Sequence, residues 1–382
     1  MAVPFSFRDP LLSLFQSAAR DVAEGLGDVR RREAVIAAAT QAAAARTARL
    51  PLPAAPPPAS LGDLGECAHL ALAYLEAAVG GKSEQAARLH DLLRDSPCDP
   101  LWISTLVDYL AYFGPGGRRR AIPYIPPETA GEASIVVPHG AKIVLLSDWG
   151  TGSEQAEALL REASARQPDL LIHLGDIYYS GTERECRRNF SAVMDRVLGP
   201  PNGRIPVFTL SGNHDMYSGG DGYYGLIAGL NAGPWKQRAS YFCLRSADHA
   251  WQLVAMDTGL HDHDPFTELA SCAETSLEPA EEAWHLRRIT EFEGPTILLS
   301  HHPMFSAFRE IGPRDDAGRL DPVNVSLAAC FERFRAAGRI AAWFWGHEHN
   351  LCIYQPYAGL ARGRCVGNGA VPVLTDDEPY RV

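Results

Sequence analysis

The sequence predicts an α/β fold from Lys142 onward, preceded by an all-α region, and three observations carry that prediction. After Lys142, short β-branched and Leu-rich runs alternate with helix-period patterns, the texture of a layered α/β sheet. Before Gly114, apolar residues recur at helical spacing between Pro clusters. Finally, five short apolar runs stop at Asp, Asn or His. The clearest spans residues 172–179, Ile-His-Leu-Gly-Asp-Ile-Tyr-Tyr, a buried-strand pattern that ends at Gly175-Asp176. Asp is almost never fully buried without a partner, so something must take up the charge of Asp176. The other four runs end at Asp148, at Asn213-His214-Asp215, at His301-His302 and at His347-Glu348-His349. Such strand ends predict one site beyond the carboxyl edge of a sheet, where ligands bind in open α/β folds.

At 382 residues the chain can bury a large core, and two domains are expected. A hydrophobic content of 46% and a charged content of 21% exclude a disordered chain. The formal charge of -11 argues against a polyanion-binding surface, so no nucleic-acid partner is expected, and Arg118-Arg119-Arg120 reads as a solvated linker. Eight Cys without a C-x-x-C pair form neither a disulfide framework nor a thiolate zinc site, and read as reduced core residues. No basic-then-apolar leader opens the sequence, and no run reaches the ~18 apolar residues of a membrane span. The expectation is a cytoplasmic protein without a membrane span.

In order, residues 11–50 are rich in Ala, Leu, Arg and Glu with no Gly after Gly27, and predict one or two helices. Pro51, Pro53 and Pro56-Pro57-Pro58 make a stiff connector. Helical spacing then predicts helices at 61–79, 83–94 and 102–113. Gly114-Pro115-Gly116-Gly117, Pro123, Pro126 and Pro127 place a domain boundary between 114 and 138. The division expected is a helical domain with Pro-rich linkers at 1–130 and an α/β domain at 131–382. Within the second, strands are predicted at 142–146, 170–174, 207–210, 296–299 and 340–345, and helices at 154–166, 183–198, 279–292 and 325–337. The helix at 279 opens on Pro279, where a missing N–H is tolerated. Segments 240–244 and 251–256 predict an antiparallel pair, and 351–354 with 364–366 close the sheet.

Two cations held ~3.5–4 Å apart need a ligand that touches both, and a carboxylate has two oxygens to do so. Asp176 is the best bridge, with Asp148 upstream and Asn213 downstream completing either side. Tyr179 bears on metal identity, since a phenol with a pKa near ~10 coordinates at neutral pH only beside a strongly acidic cation such as Fe(III). Asn213, His301 and His347 supply one neutral oxygen and two imidazoles, a mixture that suits Fe(II), Zn(II) or Mn(II). His349, two residues from His347, can diverge toward the other cation.

Asp148-x-Gly150, Gly175-Asp176-x-x-Tyr179, Gly212-Asn213-His214-Asp215, the segment ending at His301, and Gly346-His347-x-His349 resemble the five ordered motifs of calcineurin-like metallophosphoesterases. Gly150 and Tyr179 are similar to features of the purple acid phosphatase branch. The resemblance covers Lys142 to the C-terminus and implies a four-layer α/β/β/α sandwich. It implies one metal held by Asp148, Asp176, Tyr179 and His349, and another by Asp176, Asn213, His301 and His347. His214 and Asp176 would be the catalytic pair, His214 as an acid or hydrogen-bond donor outside the metal shell. The reaction implied is hydrolysis of phosphomonoesters or small phosphodiesters, by in-line attack of a hydroxide held by the metals. The competing reading is a non-catalytic interaction module that keeps the fold. Its mark would be a missing ligand, and none is missing. A nuclease is disfavoured by the acidic charge and by Gly150.

Several other residues read as structural. His173, inside its strand, is expected to be a satisfied sheet histidine, and either His301 or His302 fits the ligand position by composition, with the resemblance favouring His301. His261-Asp262-His263-Asp264 reads as a substrate-facing loop rather than a third metal site. Arg309, Arg314 and Arg319 lie in a long segment, 305–322, that could close over a phosphate. Trp149 and Tyr178 are expected to pack.

Overall fold

The computed structural model describes residues 102–113, 121–131, 134–201, 203–264, 275–308, 311–312 and 321–371. The helices expected at 11–50, 61–79 and 83–94, the Arg118 cluster, and Arg309, Arg314 and Arg319 lie outside the described residues. The chain splits into two compact units, and the larger, Ala111–Val371 with Pro379–Val382, carries the sheets. Of the smaller unit only the first part of the helix Trp102–Phe113 is described.

Ten strands form two sheets among the described residues. A three-stranded parallel sheet joins β2 (Ile143–Leu146), β3 (Leu170–His173) and β4 (Val207–Thr209). A seven-stranded sheet has the order β1-β5-β6-β7-β8-β10-β9. Its members are β1 (Ser134–Val137), β5 (Phe242–Ser246), β6 (Gln252–Ala255), β7 (Thr296–Leu299), β8 (Ile340–Trp345), β9 (Leu351–Ile353) and β10 (Gly363–Val366). The pairs β5·β6 and β10·β9 are antiparallel and the rest are parallel.

The core shows why β3 reads as an unbroken apolar run. Leu170, Ile172 and Leu174 pack with Phe242, Leu253 and Leu299 of the larger sheet, whereas Leu171 packs outward with Ala156, Leu160 and Val193. A strand covered on both faces has no polar side to alternate with. On the far face of the larger sheet, Val254, Leu298 and Trp343 meet Trp284, Leu327 and Phe331 of the helices Pro279–Thr290 and Val325–Ala337. The order is therefore helix, sheet, sheet, helix, the α/β/β/α sandwich expected. Residues 121–131 join the same unit: Ala130 sits in this core and Ile125 O accepts from Tyr241 Oη at 3.0 Å.

Two elements differ from expectation. β1 falls within the Pro-rich stretch read as a boundary, where it is an edge strand of four residues with Val136 67% exposed. The helix Asp221–Leu230 carries Gly222, Gly225 and Gly229, poor helix formers that hide its period. The antiparallel pair forms as predicted, with its first strand displaced to 242–246.

Candidate metal centre

Register brings the polar strand ends together. Leu146 pairs with His173 and His173 with Thr209, so the segments carrying Asp148, Asp176 and Asn213 leave one edge at one level. In the other sheet Leu299 pairs with Phe344, and Gly346 N–H donates to His301 O at 2.9 Å, setting His301 beside His347. The turns are sharp. Asp148 (φ 52), Asp176 (φ 73), His347 (φ 70) and His349 (φ 45) are all left-handed, a backbone that non-Gly residues hold only where surrounding structure imposes it.

Asp148, Asp176 and His349 form one group. His349 Nε2 lies 3.4 Å from Asp148 Oδ1. The phenol among them belongs to Tyr178: its hydroxyl is 3.1 Å from Asp148 Oδ1, 3.3 Å from Asp176 Oδ2 and 3.0 Å from His349 Nε2. The sequence points to Tyr179 at this place, whereas the hydroxyl that the structure sets against these side chains is that of its neighbour Tyr178. The reason is local: the backbone here is fastened at Tyr178 O by Asn189 Nδ2 (2.7 Å), at Tyr179 N–H by Glu185 Oε1 (2.6 Å) and at Tyr179 O by His214 Nδ1 (2.6 Å). So fastened, the turn after Asp176 delivers the first tyrosine to the carboxylates.

His301 and His347 define a second group, with Asn213 between them. Asn213 Nδ2 donates to Tyr217 Oη at 2.6 Å, which turns its Oδ1 to within 3.1 Å of His301 Nε2 and 3.3 Å of His347 Nδ1. His301 Nδ1 faces Leu174 O at 3.0 Å, so that nitrogen carries a proton and Nε2 is the one turned inward, the orientation of a metal-ligating imidazole. Asp176 of the first group also reaches the second, its Oδ2 lying 3.3 Å from His301 Nε2 as well as against Tyr178. Two glycines make room. A Cβ on Gly212 would overlap Asp176 Oδ1, and one on Gly346 would overlap Ser147 Oγ and crowd Asp148.

His302 is near enough to be counted with His301 and His347, but both its nitrogens are engaged elsewhere. Nδ1 lies 3.0 Å from Thr258 Oγ1 and Nε2 lies 3.0 Å from the buried carboxylate of Asp262. In the 261–264 loop Asp262 reaches inward, whereas His261 faces Glu278 and His263 faces Leu260 O. His173 bonds Thr209 Oγ1 at 2.9 Å between Trp149 and Phe190, and Trp149 donates to Ala156 O, so both pack; the histidine expected to be satisfied is so at Nδ1, while Nε2 has no hydrogen-bond partner.

Several supporting residues were not legible in the sequence. Asp215 accepts from the N–H groups of Gly212, Asp176 and Ile177 at 2.8–3.2 Å and ties two ligand turns together. Glu348 accepts from Ser306 Oγ and from Tyr354 Oη, anchoring the segment between His347 and His349. Acidic side chains in polar loops carry no pattern that separates such roles from solvation.

The electrostatics fit a cationic occupant. Asp148 and Asp176 are fully buried, yet their described partners are imidazoles, a phenol and backbone N–H groups, with no Lys or Arg among them. In the protein alone the deficit falls on histidine: burial would lower His301, but the Asp176 carboxylate outweighs it and raises the imidazole to about 9. Burial and the two carboxylates push the Tyr178 phenol well above its usual value, so it keeps its proton and donates to them.

The calcineurin-like phosphoesterase family model matches residues 141–351. No curated protein matches the chain. Among solved structures, the chain is similar to a dimetal phosphatase from Danio rerio at 14% identity and a TM-score of 0.40, covering 59% of this chain and 86% of that one. It is also similar to GAP50, the anchor in the inner membrane complex of Plasmodium, at 13% identity and a TM-score of 0.37, covering 60% and 72%. Spanning more than half of the sequence and all five polar strand ends, the match assigns this chain to the calcineurin-like phosphoesterase family.

Proposed function

We propose that this chain is a phosphoester hydrolase that works with two cations, one at Asp148, Asp176, Tyr178 and His349, the other at Asp176, Asn213, His301 and His347. The observation that carries the reading is the Asp176 carboxylate, buried and in contact with both groups. These residues would hold two cations there, which would supply charge neutralisation for a phosphoryl group and lower the pKa of a bound water toward neutrality. The first site, with two carboxylates and a phenol, suits Fe(III); the second suits Fe(II), Zn(II) or Mn(II).

The remaining work falls to the protein. His214 is placed by its N–H, which donates to Asp176 Oδ1 at 3.1 Å, and by its Nδ1 on Tyr179 O. With the proton on Nδ1 fixed by that carbonyl, Nε2 is the nitrogen that can hold a second proton for a departing alkoxide or grip a phosphate oxygen. Its ring lies between Tyr178 and Tyr217, at 4.7 and 4.8 Å between centroids, which limits its rotation.

The test joins metal analysis with hydrolysis of p-nitrophenyl phosphate and its bis-ester. Turnover is expected to vanish on chelation and return with metal, and Asp176→Ala is expected to lose both metal and turnover. A fully loaded Asp176→Ala protein would overturn the shared carboxylate.

A further inference from the structure

The larger sheet ends in β10 and the edge strand β9, and their antiparallel register sets Cys365 directly opposite Cys352. Tyr354 N–H donates to Gly363 O at 3.2 Å on the same ladder, so Cys352 and Cys365, two residues along, form a hydrogen-bonded pair. In such a pair the Cα atoms lie about 5.5 Å apart, within the roughly 4.4–6.8 Å that a disulfide spans. The two side chains share a face. Cys365 is buried in the core with Trp343 and Trp345, and Cys352 packs against that core while remaining partly exposed. Leu351 and Ile353 point the other way, into solvent. Both cysteines are free thiols.

Cys365 also braces the candidate metal centre. Its Sγ donates toward Gly346 O at 3.7 Å and Asn350 O at 3.4 Å, the two ends of the segment that carries His347 and His349. We infer that Cys352 and Cys365 are a modification site, closing to a reversible disulfide when a low-molecular-weight disulfide is the oxidant, and that closure loosens the His347–His349 segment. The second half rests on the metal reading proposed above; the first does not.

The chemistry is thiol–disulfide exchange. The thiolate of Cys352, the more accessible sulfur, attacks one sulfur of the oxidant and expels the other as a thiolate, leaving a mixed disulfide. Cys365 then gives its proton to solvent and attacks the Cys352 sulfur, forming the intramolecular bond and releasing the second small thiol. The two cysteines lose two electrons and two protons, and the oxidant is reduced to two thiols. Opposed Cβ atoms start about 4.5–5.5 Å apart and must reach about 3.5–4.5 Å, so one strand has to draw in. β9 can do so, being three residues long at an edge. Residual strain makes the bond easier to reduce. Burial raises the Cys365 thiol well above its ordinary value and raises Cys352 as well, which disfavours the thiolates, and uncatalysed disulfide exchange in general takes minutes to hours. Once closed, the Cys365 sulfur has no hydrogen to share with Gly346 or Asn350.

The full-length protein is incubated with oxidised glutathione, its remaining thiols are alkylated, and its peptides are weighed. The expected product is a peptide cross-link between Cys352 and Cys365, accompanied by a fall of roughly 10-fold in metal affinity, the size typical of losing an outer support. Both changes reverse with dithiothreitol. Cys352→Ser abolishes both while leaving metal content and turnover of the untreated protein unchanged. Absence of the cross-link, or Cys365 joined to another cysteine, overturns the pair. A cross-link that leaves metal affinity unchanged overturns the coupling. If the reduced protein binds no metal, the metal reading falls, and the peptide masses still decide the pair.

Discussion

Tyr178 and Tyr179 are the same residue type at adjacent positions, and only one can sit between Asp148, Asp176 and His349. The hydrogen bonds assign that place to Tyr178. With Fe(III) bound, a phenolate-to-metal band in the visible spectrum is expected to disappear in Tyr178→Phe and persist in Tyr179→Phe; the opposite result would return the role to Tyr179. His214 makes a different prediction, because it meets Asp176 through its backbone N–H. His214→Ala is expected to retain both cations and lose about 10²- to 10⁴-fold in kcat, the usual worth of a positioned proton donor, and metal analysis beside steady-state kinetics checks it. That Asp148, Asp176, Asn213, His301, His347 and His349 come together at one place was legible in the sequence, because a polar ligand-type residue at the end of a buried strand has few structural explanations. The choice between the two tyrosines was not, since it depends on how Asn189, Glu185 and His214 hold the turn. His302 shows the same limit in reverse: composition left it open beside His301, and its hydrogen bonds to Thr258 and Asp262 set it outside.

The turn that carries Tyr178 is built by one element, the helix that runs from Glu183 to Leu198. Thr182 and Glu185 form a capping box at its start, and Glu185 also accepts from the N–H groups of Tyr179 and Ser180 at 2.6 and 3.2 Å. One turn later the helix widens to π geometry over Cys186–Ser191, and Asn189 from that turn donates to Tyr178 O. Single π turns often occur at functional sites. Asn189→Ala removes a buried donor and strands a carbonyl, a loss of about 1–3 kcal/mol. Because it also frees the tyrosine turn, it is expected to weaken cation binding at the Asp148 group roughly 10-fold, measurable by metal titration; unchanged affinity would reduce Asn189 to a packing residue. Helix 183–198 was readable from its period, as were β7, β8 and the helix Val325–Ala337, whose ends coincide with expectation. β1 and the helix Asp221–Leu230 were not, the first because an edge strand of four residues next to Pro138 has no room for a pattern, the second because three glycines dilute its propensity.

Across the whole molecule, the sandwich buries histidine that cannot charge while the fold is intact. His173 lies at the end of β3 against Trp149 and Phe190, fully buried, with Nδ1 on Thr209 and no hydrogen-bond partner for Nε2. Burial, opposed in part by Asp148, takes its imidazole down to about 4. In the unfolded chain it titrates near ~6.5, so between those values the unfolded state binds a proton that the native state refuses. Stability from this group is therefore whole above about pH 6.5 and is lost as the pH falls toward 4, by about 2 kcal/mol at pH 5. His285, taken down to about 3 by burial, acts in the same direction, whereas Glu281, pushed up by burial and by Asp257, acts against it. Cation binding adds its own pH dependence, since imidazole and carboxylate ligands must be deprotonated. A comparison of wild type with His173→Gln cancels those shared contributions. Denaturant unfolding at pH 7.5 and pH 5 is expected to show the wild type losing about 2 kcal/mol more than the variant, whatever the variant's own stability at pH 7.5. Equal losses in the two proteins would mean that His173 is protonated, or hydrated, within the native sandwich.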